Sequence, residues 1–486
     1  MPSNIKTGLT KSSKVLFMVL KFFNSFGNKL EEFKPIKKDF VGLYTCGPTV
    51  NNYIHIGNLK CYSWEDLLKR YLLFKGYKVK QVMNFTDVDD KTIKGAMTKK
   101  VPLAEYTQEF KKAFLEDIKT MNILPAEIYT PATEYIPEMV KLVEKLLDKG
   151  FAYKGEDGSI YFSIKKFKNY GKLAGIDTKK LKDGARVKQD EYEKEGVGDF
   201  ALWKAWDEND GPVYWETALG KGRPGWHIEC SAMSMKHLGE TFDIHCGGVD
   251  NKFPHHENEI AQSEAATGKK FVNFWLHTEH LLVDGKKMSK SLGNFYTLRE
   301  LTSKGYNPLA IRYVFLNTDY RQQLNFSLNA VKDAEKTLLG LQNFISRLRE
   351  IKNKKDNDSI APLVSAALDG FTEGMDNDLN VPEGMKHIFD FVKKINKLID
   401  EGEIGASAAS EALEFMKKIN SVIGVLNFAE KYFELTEEQQ ALILERNLAR
   451  KHKDWKKSDE IRDKLKAQGI EIVDNKDGTT LAKPLK

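Results

Sequence analysis

Val41-Gly-Leu-Tyr-Thr45, then Cys46-Gly-Pro-Thr-Val50, then a stripe of Trp64, Leu67, Leu68, Tyr71 and Leu72 together decide the fold. The first run reads as a short buried strand, and the second is a breaker-rich turn. The stripe stands at i, i+3, i+4, i+7 and i+8, one apolar face of a helix. Lys78 to Phe85 reads as a second strand. Strand, helix, strand in that order argues for a parallel crossover, half of a doubly wound sheet.

Further on, a second alternating stretch runs from about 221 to 290. It holds a helix over 226–238, a strand from Thr241 to His245, a Gly247-Gly248 turn, a helix over 255–266 and a strand from His280 to Val283. Between the two stretches, residues 150–220 carry short strand-like pieces, Ser159-Ile-Tyr-Phe-Ser-Ile164 and Val213-Tyr-Trp215, separated by Gly and Lys turns. They mark an insertion that splits the sheet. After about 325 three helical seams follow: Leu338, Leu341, Ile345 and Leu348; Met385, Ile388, Val392, Ile395 and Ile399; Met416, Ile419, Ile423 and Leu426. Such seams predict an antiparallel bundle. From about 437 the chain turns basic, with Arg446, Arg450, Lys451, Lys453, Lys456 and Lys457 before a hairpin around Asp477-Gly478.

The length of 486 residues allows several domains, and 75 basic against 69 acidic residues give a net charge of +6. That permits a polyanionic partner without requiring one. Cys46, Cys61, Cys230 and Cys246 are too few for a disulfide framework and suit a reducing compartment. No run approaches the ~20 apolar residues of a membrane span. The expectation is a cytoplasmic protein, with Met18 as a possible start and the residues before it an extra.

Two pieces point to nucleotide chemistry. His55-Ile-Gly-Asn58 lies where the first strand turns into the first helix. A helix N-terminus offers unpaired N–H groups and a positive dipole end to phosphate. Gly57 lets a nucleotide approach the backbone, and His55 can donate to phosphate oxygens. Lys287-Met-Ser-Lys-Ser291 follows an apolar strand and Asp284-Gly285. A lysine loop there can clamp a triphosphate and neutralise departing pyrophosphate. A third piece points to a metal. His255 and Glu259 are four apart on a helix and share a face, whereas His256 points about 100° away. With Cys230 and Cys46 they form a set able to hold zinc tetrahedrally. Cys246 is a rival ligand by composition, and Cys61 reads as packing.

The first two pieces resemble the HIGH and KMSKS motifs of class I aminoacyl-tRNA synthetases, with Asn58 where a second histidine is commoner. Asn can hydrogen-bond there but carries no charge. Tyr44-Thr-Cys-Gly-Pro-Thr-Val50, Asn84-Phe-Thr-Asp-Val-Asp-Asp-Lys91, Pro131-Ala-Thr-Glu-Tyr-Ile-Pro137, Asp199-Phe-Ala-Leu-Trp-Lys204, Gly222-Arg-Pro-Gly-Trp-His-Ile-Glu-Cys-Ser-Ala-Met233 and Phe253-Pro-His-His-Glu-Asn-Glu-Ile-Ala-Gln262 resemble the cysteinyl-tRNA synthetase family, in order. The resemblance runs from about Leu20 to the C-terminus.

It implies a Rossmann-like doubly wound parallel sheet split by an α+β insertion, then a helical bundle and a small C-terminal α+β anticodon-binding domain. The expected division is an N-terminal extension over 1–19, disordered; catalytic halves at 20–125 and 223–285; and an insertion at 126–222. The lysine loop and stem-contact region follows at 286–328, the bundle at 329–435 and the anticodon domain at 436–486. The implied reaction joins L-cysteine to ATP as cysteinyl-adenylate with loss of pyrophosphate. The cysteinyl group then passes to the 3′-terminal ribose of tRNA(Cys).

The resemblance further implies that Cys46, Cys230, His255 and Glu259 hold one zinc, with magnesium accompanying ATP. Catalysis would rest on His55, Asn58, Lys287 and Lys290. ATP would meet His55, Gly57, Asp250 and Lys290, and the amino acid Thr86, Trp226 and His245. The anticodon would meet Arg450, Trp455, Asp459 and Asp474. Selection against serine would come from ligation of the substrate thiol, since an alcohol is far harder to deprotonate. Four protein ligands usually close a zinc site, so one must yield, and Glu259 is the candidate. The protein is expected to be a monomer. Two alternatives are a paralogous ligase joining cysteine to an amino-sugar, and a non-catalytic zinc-containing RNA-binding protein. The basic C-terminal module disfavours the first; intact His55, Lys287 and Lys290 disfavour the second.

Overall fold

The computed structural model describes residues 19–176, 186–187, 198–288, 293–353, 360–428, 436–452, 454–474 and 480–485. It falls into two compact units, 1–426 and 427–486. The expected N-terminal extension and the Asp477-Gly478 turn lie outside the described residues, apart from Val19.

In the first unit a hairpin of β1 (Lys21–Asn24) and β2 (Lys29–Glu32) precedes β3 (Phe40–Thr45), α1 (Ile56–Phe74) and β4 (Lys78–Phe85). Then come α2 (Asp90–Lys99), α3 (Leu103–Thr120), β5 (Ile128–Pro131) and α4 (Ile136–Asp148). A mainly antiparallel sheet follows: β6 (Ala152–Lys154), β7 (Ile160–Phe162), β8 (Arg186–Val187), β9 (Asp199–Ala205), β10 (Trp215–Thr217) and β11 (Gly220–Pro224). The chain returns through α5 (Trp226–Leu238), β12 (Phe242–Gly248), α6 (His255–Thr267) and β13 (Val272–Thr278). The central sheet has the order β13-β12-β3-β4-β5, every neighbouring pair parallel.

Next are β14 (Leu281–Val283), β15 (Lys286–Lys287), α7 (Leu298–Ser303), α8 (Pro308–Leu316) and β16 (Leu324–Phe326), the strands forming one small sheet. A bundle closes the unit with α9 (Leu328–Glu350), α10 (Ala361–Asp376), α11 (Val381–Asp400) and α12 (Ala406–Ile423). The second unit pairs α13 (Glu437–Lys451) and α14 (Trp455–Ala467) with a hairpin of β17 (Ile470–Asp474) and β18 (Thr480–Pro484). Leu442, Ile461, Leu465 and Ile470 are its core.

Three differences from the sequence reading have physical causes. The last parallel strand is Val272–Thr278, not His280–Val283, and Leu281–Val283 pairs with β16 instead. Asn273 and His277 interrupt its apolar run, although Trp275 and Leu276 are fully packed. The edge strand Ile128–Pro131 pairs with β4, so the parallel sheet extends past residue 125, where the sequence reading begins the insertion. The bundle has a further helix, α10, beyond the three seams. Its glycines are contact points with α11. A Cβ on Gly370 would stand 2.3 Å from His387 Nδ1, and one on Gly374 2.5 Å from the Gly384 nitrogen.

Helix α1 is buried on nearly every side, polar residues included: Lys60, Glu65, Asp66, Lys69 and Arg70 all lie inside. A buried polar group must be partnered. Lys60 Nζ donates to the Glu279 carbonyl, 2.5 Å away, and Lys69 Nζ to that of Pro125 at 2.7 Å. Among the described residues Glu65 accepts only a weak bond, from Cys61 Sγ at 3.4 Å, and its Oε2 has no partner. Burial therefore pushes the Glu65 carboxyl up to about 8. A raised carboxyl means the folded chain keeps a proton the unfolded chain has released, so stability falls as pH rises from the unfolded value toward 8. The slope approaches about 1.4 kcal/mol per pH unit. Glu65→Gln is expected to flatten this fall, measured as the urea midpoint between about pH 5 and 9. An unchanged pH slope in the variant would contradict the assignment.

Candidate active site and metal centre

The cleft opens at the C-terminal ends of β3 and β12, where ligands bind in open parallel sheets. It is a cavity of about 840 Å³ lined by, among others, Cys46, His55, Gly57, Asn58, Asp250 and Lys287. The glycine after Cys46 is required, because a Cβ on Gly47 would stand 1.7 Å from the Asn84 carbonyl oxygen.

His55 is the N-cap of α1. Its Nδ1 accepts from the amides of Gly57 (3.1 Å) and Asn58 (3.3 Å). An accepting Nδ1 puts the imidazole proton on Nε2. Burial lowers the His55 pKa, which favours this neutral form. Asn58 returns the cap, its Oδ1 accepting from the His55 amide at 3.2 Å. The uncharged residue at this position thus serves the cap. Gly57 holds the ring in place: a Cβ there would meet His55 Cε1 and Nδ1 at 2.9 Å and Met288 Cε at 3.3 Å. Across the cleft, exposed Asp250 lies 3.4 Å from His280 Nε2. Lys287 is exposed on β15, and Lys290 lies outside the described residues.

Behind the cleft wall lie the metal-type side chains. Cys46 leaves β3, Cys230 comes from α5, and His255 and Glu259 from one face of α6. One ligand atom of each lies within 4.8 Å of all the others. His255 Nε2 is 3.3 Å from Cys230 Sγ and 3.1 Å from Glu259 Oε1. Among the described residues no donor is well aligned on that Glu259 oxygen, although it is fully buried. Burial pushes the His255 proton off, but the Cys230 and Glu259 charges outweigh it and hold the pKa up at about 10. Cys230 and Glu259 carry the negative charge and the His255 imidazolium balances it, while burial, Cys230 and Glu259 hold the Cys46 thiol well above its ordinary pKa; a divalent cation can take the place of these protons. The donors suit a borderline-soft ion such as zinc.

A second group surrounds the same carboxylate: Cys46, His245, His256 and Glu259. His245 Nε2 is 3.0 Å from Glu259 Oε2, and His256 Nε2 is 3.3 Å from Cys46 Sγ. Helical spacing does turn His256 away from His255, but Cys46, arriving from the sheet, is reached from both sides. The expectation that His256 stands apart from the cluster is therefore corrected. His256 Nδ1 is in turn 2.8 Å from His277 Nε2, and His277 Nδ1 is 2.8 Å from Ser25 Oγ. Local spacing carries no signal for this chain of imidazoles, whose members come from a helix, α6, and a strand, β13. Cys246 belongs to neither group, and Cys61 lines the cleft instead.

The residues expected at the amino acid are spread in depth. Trp226 stacks on His255, ring centroids 4.2 Å apart. His245 is fully buried and stacks on Trp275. Thr86 is buried, its Oγ1 donating to Glu229 Oε2 at 3.0 Å. In the second unit Trp455 is 55% exposed, with the Arg450 guanidinium 5.6 Å from its ring. Asp459 pairs with Arg462 at 3.2 Å. Asp474, expected among the base readers, is gripped by both Arg446 nitrogens (2.9 and 2.8 Å) and by Arg450 (3.0 Å). The Arg446 hydrogen bonds keep its carboxyl below the usual range. Its oxygens are spent on anchoring arginines, a role that sequence position did not reveal.

The parallel sheet, the cleft at its carboxyl edge and the capped start of α1 fit the catalytic domain of a class I aminoacyl-tRNA synthetase, the class that the sequence comparison shows. Solved structures agree on the fold: Mycobacterium tuberculosis methionyl-tRNA synthetase with methionyl-adenylate superposes with a TM-score of 0.58 at 15% identity, over 79% of this chain and 90% of that one. The family model "tRNA synthetases class I (C) catalytic domain" matches residues 32–336, the DALR domain 370–427 and the cysteinyl-tRNA ligase anticodon binding domain 434–480. Cysteine–tRNA ligase of Protochlamydia amoebophila is 50% identical over 96% of this chain and 98% of its own length. That of Brachyspira hyodysenteriae is 48% identical over 94% and 98%. The chain belongs to the cysteine–tRNA ligase family, ATP-dependent enzymes that work on an amino acid, ATP and tRNA.

The cap geometry generates a prediction. Gly57→Ala pushes the His55 ring off the α1 amides. Pyrophosphate exchange should fall about 10- to 100-fold, while stability drops by only about 1 kcal/mol, the worth of a cap. Exchange at the wild-type rate would contradict the role of the cap.

Proposed function

We propose that this chain charges tRNA(Cys) with L-cysteine and selects the amino acid by its thiol at a zinc held by Cys46, Cys230, His255 and Glu259. The observation that carries the reading is the convergence of these four ligand atoms beside the cleft, three from buried residues and one from half-buried Cys46, which lines it. Zinc there would favour a thiol over an alcohol, because it stabilises thiolate far more readily than alkoxide. The remaining work falls to the protein's own groups. His55 Nε2–H donates to phosphate oxygens as charge develops, and Gly57 lets the nucleotide approach the α1 amides. Asp250 accepts from ribose hydroxyls, while Lys287 and Lys290 neutralise the triphosphate, carried with magnesium. Trp226 fixes the imidazole of His255 by stacking and packs beside the substrate side chain. His245 holds Glu259 in place from behind.

In the first step a cysteine carboxylate oxygen bonds to the α-phosphorus of ATP and the bond to pyrophosphate breaks. In the second, a terminal ribose hydroxyl of tRNA bonds to the acyl carbon, AMP leaves, and the hydroxyl proton is released. Neither step needs a covalent protein nucleophile; positioning and charge stabilisation suffice. Arg450 and Trp455 would hold and stack the anticodon loop, with Asp459 reading a base edge and Asp474 setting the arginines. The enzyme would act as a cytoplasmic monomer; among the described residues no helix is long and apolar enough to cross a membrane.

Cysteine-dependent ATP–pyrophosphate exchange, followed by charging of tRNA(Cys), tests this. Both activities are expected. Exchange without charging would point to an amino-sugar acceptor, and neither to a non-catalytic RNA-binding protein; each overturns the proposal. Two further outcomes follow. Lys290→Ala should lower exchange by about 10²- to 10³-fold with little change in cysteine affinity. Cys230→Ala should reduce bound zinc, measured by elemental analysis, well below one per chain. Full metal content in that variant would remove Cys230 from the ligand set.

A further inference from the structure

Deep in the first unit, Asp66 of α1 meets two arginines. Its Oδ2 accepts from Arg70 Nε at 2.7 Å and from Arg312 Nη2 at 2.6 Å, and its Oδ1 from the Leu124 amide at 2.8 Å. Asp66 is 2% exposed, Arg70 8% and Arg312 0%. Two cations share one anion here, and the surplus charge is turned onto carbonyl groups. Arg70 Nη1 donates to the Ser421 carbonyl at 3.1 Å and Arg312 Nε to that of Ile423 at 2.9 Å. Both carbonyls belong to the last turn of α12, the negative end of that helix. Arg70 Nη2 donates to the Asn122 carbonyl at 2.6 Å, and Asn122 Nδ2 to that of Gly424 at 2.8 Å. Asn420 Oδ1 then accepts from the Val425 and Leu426 amides, at 3.0 and 2.8 Å. These bonds tie the chain down as far as Leu426, where the first unit ends.

The other end of α1 carries the His55 cap and faces the cleft, roughly 20 Å along the helix axis. Burying three charges is a poor route to stability, since apolar residues of the same volume often do as well. What the network supplies is a fixed geometry between α1, α8 and the end of α12. We infer that Asp66, Arg70 and Arg312 are positioning residues that couple tRNA seated on the C-terminal unit to the nucleotide end of α1. The inference rests on the tRNA-charging reading.

The test compares two activities of the full-length enzyme. Pyrophosphate exchange needs no tRNA; charging does. Arg70→Met removes the grip on Ser421 and Asn122 while leaving the Asp66–Arg312 pair. Exchange should stay within about twofold of wild type, and charging kcat should fall by about tenfold with KM for tRNA little changed. Gly424→Ala perturbs the same docking without unpairing a charge: its Cβ would stand 3.3 Å from Arg312 Nη2 and Arg70 Cζ at a φ of +69°. It should show the same split, and it decides the matter if Arg70→Met does not fold. Lys75→Met, which cuts the 2.9 Å pair with Asp376 outside the network, should leave the ratio of the two activities unchanged. Unaltered charging, or equal losses in both activities, would overturn the inference, because a merely structural role moves the two together. Wild-type enzyme that charges no tRNA would defeat the functional reading itself.

Discussion

The parallel register of β3 between β4 and β12 is the constraint on which the rest depends. It pairs Tyr44 with Val82 and His245, and Thr45 with Met83 and Cys246. Cys46 therefore emerges at the carboxyl edge of the sheet, within reach of α5 and α6. The chain must then turn sharply, and Gly47 allows this by passing against the Asn84 carbonyl. The same turn delivers His55 to the start of α1. One strand end thus places a metal-type thiol and a helix terminus on the same cleft.

Glu259 is the second organising group. Buried carboxylates are costly unless bonded. This one is held on Oε2 by His245, while Oε1 faces His255 without a well-aligned donor. The asymmetry gives physical form to the expectation that Glu259 is the ligand that yields: its second oxygen already has an alternative partner. Behind it His245 stacks on Trp275, and His256 packs at a tilt against both rings.

Much of this was legible in the sequence. The stripe from Trp64 to Leu72, the strand Lys78–Phe85 and the helix beginning at Trp226 stand where periodicity places them. The same holds for the helix carrying His255 and Glu259, and His55, Gly57, Asn58 and Lys287 line one cleft. What escaped has a common cause, namely contacts made by residues distant in sequence. Nothing local says that Cys46 will sit between His255 and His256, or that Asp474 will be consumed by Arg446. Asn273 and His277 hid a strand because they break its apolar run: Asn273 is half-buried, and the buried His277 ring is partnered by His256 and Ser25. Gly370 and Gly374 hid a helix because close packing against α11 requires them.

The central claim is that the substrate thiol is recognised at a zinc held by Cys46, Cys230, His255 and Glu259. X-ray absorption at the zinc edge, on the zinc-loaded enzyme with and without cysteine, tests it most directly. The account predicts a gain of one sulfur neighbour over the thiolates of Cys46 and Cys230 when cysteine is added, and no such gain with serine. An unchanged sulfur count on adding saturating cysteine would contradict it.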